Sequence, residues 1–266
     1  MSYFNNKTAW ITGASSGIGE ALVYELVKQG AKVIISARRE EELKRVQQQA
    51  GSNNIYVLPL DLEATHTFAD KVAEAINAFG HIDLMIHNGG ISQRSQVKDT
   101  LPAIQRKVME VDYFSYIELT YLLLPHFLQR NSGHVVAISS VMGKVGTPLR
   151  SAYAAAKHAL HGYFDCLRTE VWQQNIAVTV IMPGYIRTNV SLNAVTGNGD
   201  KLNELGKNIG HGYPADKTAV QILKAIEKKK SEKFVGRPFS QEWLAIHLMR
   251  LFPSLAFKLL RTAVPK

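Results

Sequence analysis

Short apolar runs alternate with helical stretches along this chain, and that alternation leaves few architectures open. Residues 8–11, 32–36, 55–58, 84–87, 134–139 and 177–182 read as strands, with 233–235 as a candidate seventh. Segments such as VIIS, LMIH and VTVIM carry no polar alternation, the pattern of strands covered on both faces. Helical spacing fills 20–29, 40–50, 67–79, a long stretch at 102–128 and another from Tyr153 to about residue 173, and Gly30, Gly51 and Gly80 stand as stop signals. Alternation of this kind builds right-handed βαβ units on a parallel sheet. The expectation is a doubly wound α/β fold in one domain, 1–266, long enough to bury a sizeable core.

The first strand runs directly into Thr12-Gly13-Ala14-Ser15-Ser16-Gly17-Ile18-Gly19. In an open parallel sheet, ligands bind beyond the carboxyl ends of the strands. Glycines at 13, 17 and 19 let the backbone turn tightly and approach a pyrophosphate, and the helix that follows offers free N–H groups and its positive end. A glycine triplet alone is weak evidence, but its place between strand and helix at the first crossover points to a dinucleotide. The second strand ends in Ser36-Ala37-Arg38-Arg39, where an NAD site usually has a carboxylate for the ribose 2′-hydroxyl. A guanidinium there grips a 2′-phosphate instead, and Ser15 adds a hydroxyl donor, so NADP(H) is the expected cofactor.

Tyr153 and Lys157 form YAAAK, four apart and therefore on one face of a helix. A free tyrosine titrates near pH 10, and a neighbouring ammonium favours the phenolate and brings it towards acid/base use. Lysine can also hydrogen-bond a nicotinamide ribose. Ser140, thirteen residues before Tyr153 and just past the fifth strand, is placed to hold a substrate oxygen, with Ser139 as the adjacent alternative.

With these motifs in order, the sequence resembles the short-chain dehydrogenase/reductase superfamily, in its single-domain, NADP-preferring, steroid-dehydrogenase-like branch. TGASSGIG matches the family's T-G-x-x-x-G-x-G turn, and Asp61 and Leu62 its adenine-contacting pair. Asn88-Gly89-Gly90 is similar to the N-A-G motif that steadies the central strand, with Gly89 in place of alanine. Ser140, Tyr153 and Lys157 fall on the catalytic serine, tyrosine and lysine. Pro183-Gly184, with Ile186 and Thr188 following, matches the segment that contacts the nicotinamide end. The match covers about 7–190 and implies a Rossmann-type, seven-stranded sheet flanked by helices. It also implies hydride transfer between nicotinamide and a carbonyl carbon or secondary alcohol. Tyr153 would then exchange the proton and Ser140 would stabilise the alkoxide. Asp112 departs from the pattern: the family usually has asparagine there, anchoring a water in a proton relay to the lysine. An ionised aspartate offers no donor but stabilises a charged Lys157, and a protonated one mimics the amide, so the expected consequence is an altered pH dependence rather than loss of activity. The resemblance further makes 189–213 a substrate lid, and it implies a homodimer or homotetramer.

Other features bear on setting and partners. There are 31 Lys and Arg against 22 Asp and Glu, a net charge of +9 that suits acidic partners without choosing one. KAIEKKKSEK reads as a solvated helix end, and no nucleic-acid partner is expected. The single cysteine, Cys166, reads as a small buried residue and allows no internal disulfide. No signal-peptide pattern and no apolar run of about 18 residues are present, so a cytoplasmic protein is expected. The histidines show no metal-ligand spacing, and no metal is assigned. Gln93 and Arg94 are candidates to face the substrate cleft. The tail, 239–266, forms a C-terminal extension of two amphipathic helices broken at Pro253, with Arg250, Lys258 and Arg261 among leucines and aromatics. It either packs on the chain's own core or a partner subunit, or makes peripheral contact with an anionic membrane and gathers an apolar substrate there. The function expected is NADP(H)-dependent oxidoreduction, with a steroid, retinoid or fatty carbonyl favoured. The alternatives are a non-catalytic NADP(H)-binding sensor, which has no need of Ser140, Tyr153 and Lys157 together, and a membrane-associated scaffold acting through the tail.

Overall fold

The computed structural model describes residues 2–188, 194–202 and 212–263. Chain order is β1 (Thr8–Thr12), α1 (Gly17–Lys28), β2 (Lys32–Ser36), α2 (Glu40–Ala50), β3 (Ile55–Val57), α3 (Phe68–Phe79) and β4 (Leu84–His87). There follow α4 (Pro102–Met109), α5 (Ser115–Arg130), β5 (Gly133–Ile138), α6 (Ser151–Glu170), β6 (Ile176–Pro183), α7 (Ala215–Glu227), β7 (Glu232–Val235), α8 (Gln241–Leu251) and α9 (Pro253–Leu260). The seven strands form one parallel sheet in the order β3-β2-β1-β4-β5-β6-β7. Strand order reverses between β1 and β4, so the connections leaving their carboxyl ends part and open a crevice there.

The uniformly apolar strands are explained by a helical layer on each face. Ala9 and Ile11 of β1 join one core with Leu22 and Leu26 of α1, Leu43 of α2 and Ile222 and Ile226 of α7. Trp10 points the other way, into a second core with Phe68 of α3, Leu119 and Phe127 of α5 and Phe164 of α6. The Trp10 indole is fully buried and its N–H donates to the Ser36 hydroxyl at 2.9 Å. That bond satisfies the one polar atom the ring carries inside.

Three expectations change. The long helix expected over 102–128 is divided by a π-helical turn, Glu110–Phe114, which buries Asp112. Such a turn inserts an extra residue and re-aims the side chains on it, a change that leaves no mark in helical periodicity. Cys166 is exposed, because Phe164 and Leu167 take the core-facing side of α6. The tail does form two helices meeting at Pro253, which occupies the first turn of α9 where no N–H is needed. It lies on the rim of the sheet's carboxyl edge and joins neither core: Glu242 accepts the Tyr185 N–H at 3.3 Å, while α8 fully buries none of its residues and α9 only Ala256.

Candidate active site

The crevice is built first by backbone. Gly13 has φ +66°, and a Cβ there would sit 2.5 Å from the Gly89 Cα. A Cβ on Gly19 would lie 2.2 Å from the Gly13 carbonyl oxygen. The turn is therefore open only to glycine, and that absence of side chains leaves the α1 N-terminus bare for an anion. The Asn88 amide donates to the carbonyls of Thr12 and Gly13, both at 3.1 Å. In return the Thr12 hydroxyl accepts the N–H groups of Asn88 and Gly89 at 3.1 Å. The ends of β1 and β4 are thus tied together at the floor of the site.

One cavity of about 850 Å³ runs along this edge. Ser15, Ser16, Gly17, Ile18, Arg38, Arg39, Asp61, Leu62, Asn88, Gly89, Gly90, Asp112, Ser140, Tyr153, Lys157, Pro183, Gly184, Ile186 and Thr188 all line it with Gly13. Gly19 does not; it packs beneath the turn against Gly13 and Asn88. Gln93 and Arg94, expected at the substrate cleft, do not line it either. Gln93 is fully buried, with its amide donating to Ser95 and Thr100.

At one end Arg38 is exposed, with Nη1 3.9 Å from a Glu63 carboxylate oxygen, and Lys107 reaches the same oxygen at 3.1 Å. Glu63 and Lys107 were not foreseen, since neither lies in a motif. Arg45 was missed for the same reason. It bonds Glu20 and Glu42, both at 2.8 Å, and donates to the Ser15 carbonyl at 3.2 Å, bracing the glycine turn from α2.

At the other end Lys157 is almost wholly buried. Its Nζ lies 3.1 Å from Asp112 Oδ2, donates to the Ile138 carbonyl at 3.2 Å, and sits 5.6 Å from the centre of the Tyr153 ring. Asp112 Oδ1 accepts the Ile91 N–H at 2.7 Å. Burial pulls the Lys157 ammonium down, but Asp112, Tyr116 and Tyr153 together hold it well above its ordinary value, while burial raises the Asp112 carboxyl against the pull of Lys157. The two serines divide clearly. Ser139 is buried and donates to the Lys157 carbonyl at 3.1 Å, beside His161 Nε2. Ser140 accepts the Met142 N–H at 3.1 Å and faces the cavity. Behind them His161 Nδ1 lies 2.9 Å from Glu232, which also takes Lys144 at 2.7 Å. The contact to His161, with that to Lys144, pulls the Glu232 carboxyl down to about 2 against the effect of burial.

The substrate side is walled by Met142, Val145 and Val195, by Arg150, and by Glu242, Ala245, Leu260 and Ala263 of the tail. Most of the expected lid lies outside the described residues. Of its described part, Val195, Gly199 and Lys201 reach the cavity.

A bare glycine turn at the switch point of a parallel sheet, with a serine, a tyrosine and a lysine on the same cavity, defines a nucleotide-dependent oxidoreductase class. A family model for short chain dehydrogenase matches residues 7–198, and the chain belongs to that family. Among its relatives, the bovine dehydrogenase/reductase SDR family member 7B is 40% identical, with all of this chain and 83% of the relative covered. A Drosophila melanogaster dehydrogenase/reductase SDR family protein 7-like is 41% identical over 94% of this chain and 78% of its own length. A short-chain dehydrogenase from Streptomyces avermitilis superimposes with a TM-score of 0.81 at 28% identity, covering 94% of this chain and 96% of that one. One from Burkholderia cenocepacia, solved in complex with NADP, shares the fold with a TM-score of 0.80 at 22% identity, over 98% of this chain and all of that one.

Proposed function

We propose that this protein reduces a carbonyl compound, or oxidises the matching secondary alcohol, with NADP(H) as the hydride partner and an apolar carbonyl favoured. The observation that carries the reading is that Ser140, Tyr153 and Lys157 open onto the same cavity as the glycine turn. The side-chain-free cradle at Gly13 and Gly19 fits a pyrophosphate. A bound nicotinamide supplies or accepts the hydride at the substrate carbon. The chain's own groups manage charge. In reduction the Tyr153 hydroxyl gives its proton to the carbonyl oxygen as negative charge grows there. Ser140, already accepting from Met142, has its hydroxyl proton free to donate to that oxygen. Lys157 is anchored at Ile138 and Asp112, and it presents a fixed positive charge beneath Tyr153. Arg38 and Arg39, with no carboxylate at the end of β2, support NADP(H) over NAD(H).

Phe114, Tyr121 and Leu128 are exposed and seven residues apart, an apolar stripe suited to a second copy of the chain as homodimer or homotetramer. Residues 239–266 turn Leu244, Leu251, Phe252, Leu255, Phe257 and Leu259 outward, which supports peripheral contact with an anionic membrane. No described helix is long and apolar enough to cross one.

NADPH consumption screened across aldehydes, ketones and quinones tests the main reading, with Tyr153→Phe as the control. Turnover is expected for one class and its loss in the variant, with NADPH still bound. Turnover retained by Tyr153→Phe removes Tyr153 from the mechanism, and failure of every class favours the sensor.

A further inference from the structure

The substrate end of the cavity holds a cation that no described acid neutralises. Arg150 directly precedes α6, three residues before Tyr153, and lines the cavity with Ser92 and Tyr185. Its Nη1 donates to the Ser92 hydroxyl, and among the described residues it makes no ion pair. Arg94 adds a second positive charge close enough to act on it, and the Arg94 Nε is buried with no hydrogen-bond partner. No carboxylate acts on Arg150 among the described residues; on the same cavity Asp112 pairs with Lys157, and one oxygen of Glu242 accepts the Tyr185 N–H at 3.3 Å.

Among the described residues, nothing offsets the cost of this placement. A largely buried charge without a counter-charge is costly. The N-terminal end of a helix is also the wrong end for a cation, because the helix dipole is positive there. Burial accordingly pulls the Arg150 guanidinium below its ordinary value, with Arg94 adding to the effect. An anion supplied by the substrate removes both penalties, and a guanidinium fork matches either a carboxylate or a phosphate.

We propose that Arg150, with the Arg94 charge behind it outside the cavity lining, binds an anionic group on the substrate, a carboxylate or a phosphate, so that the enzyme selects charged carbonyl compounds over neutral ones. The inference rests on the reductase reading above. It makes the substrate amphipathic, its charged group at Arg150 and its apolar part against Met142, Val145 and Val195.

The test compares levulinate with methyl levulinate, and hydroxyacetone phosphate with hydroxyacetone, in NADPH oxidation by the full chain. In at least one pair the charged member should be favoured about tenfold or more in kcat/KM, and the arm that responds identifies the anion. Arg150→Leu should erase that preference through the KM of the charged member, and Arg150→Lys should restore part of it. Equal kcat/KM within both pairs overturns the proposal. Calorimetric titration of levulinate and hydroxyacetone phosphate into protein saturated with NADP+ needs no turnover. At least one should bind about tenfold tighter to the wild type than to Arg150→Leu, both proteins showing the same NADP+-induced rise in melting temperature. Equal affinities overturn the proposal. Anion binding that depends on Arg150 in a protein that reduces nothing sinks the reductase reading and leaves the anion site standing.

Discussion

Replacing Asp112 with asparagine separates the charge of the Asp112–Lys157 pair from its shape. Asparagine keeps an oxygen for the Ile91 N–H, accepted at 2.7 Å, and Lys157 keeps its bond to Ile138, but the counter-charge at 3.1 Å disappears. At an effective dielectric near 20, two charges that far apart interact by about 5 kcal/mol, an upper bound for what the ammonium loses. Removing one partner of a buried pair costs about 3–5 kcal/mol, and the retained amide oxygen places this variant at about 3 kcal/mol. The same change uncovers a field. The ammonium lies 5.6 Å from the Tyr153 ring centre, and Asp112 now offsets part of its charge there. Carbonyl reduction draws on the tyrosine proton, so the added positive charge beside it should alter the pH–rate profile in Asp112→Asn. Urea denaturation at pH 7 and kcat/KM measured from pH 6 to 10 read the two effects. An unchanged profile together with unchanged stability would refute the reasoning.

At the other end of the cavity, Arg38→Leu should weaken NADPH binding by about tenfold while leaving NADH nearly untouched, and Glu63→Gln should tighten NADPH, both read by fluorescence titration. His87 and His134 are buried neutral, burial pulling each down to about 3. The unfolded chain takes up those protons below about pH 6.5 and the folded chain does not, so stability is lost as pH falls from about 6.5 towards 3. At pH 5 the loss approaches about 2 kcal/mol per histidine, and a melting temperature flat from pH 7 to 5 would contradict it. Deleting 239–266 should abolish co-flotation with anionic vesicles and alter KM, since Glu242, Ala245 and Leu260 line the cavity. Flotation that survives the deletion places membrane contact elsewhere.

What could be read from sequence was local. The glycine turn is legible because strand, turn and helix are contiguous, and a missing Cβ at Gly13 is a property of that residue alone. Tyr153 and Lys157 share a helix face by spacing, and Ser140 follows from the end of β5. A sheet covered by helices on both faces was implied by the unbroken apolar runs, while the order of its strands came from the tertiary structure. The remainder depended on distance in space. Asp112 meets Lys157 across 45 positions of sequence because a π turn re-aims it, and Ser92 meets Arg150 across 58. Glu63 faces Arg38 only when two crossover loops are folded side by side. Even where spacing named Ser139 and Ser140 together, only packing separated them: His161 and the Lys157 carbonyl engage the first, and the second is left facing the cavity. The amphipathic tail was visible as a pattern, but no pattern says which way a helix faces. Periodicity reports that a helix has two sides, and the tertiary structure turns one to the cleft and the other outward, because Pro253 breaks the pair and the core is already covered. The sequence by itself therefore determined the fold and the residues able to do chemistry. The tertiary structure decided the charges around them, since electrostatic energy depends on separation and burial, and neither is written in residue order.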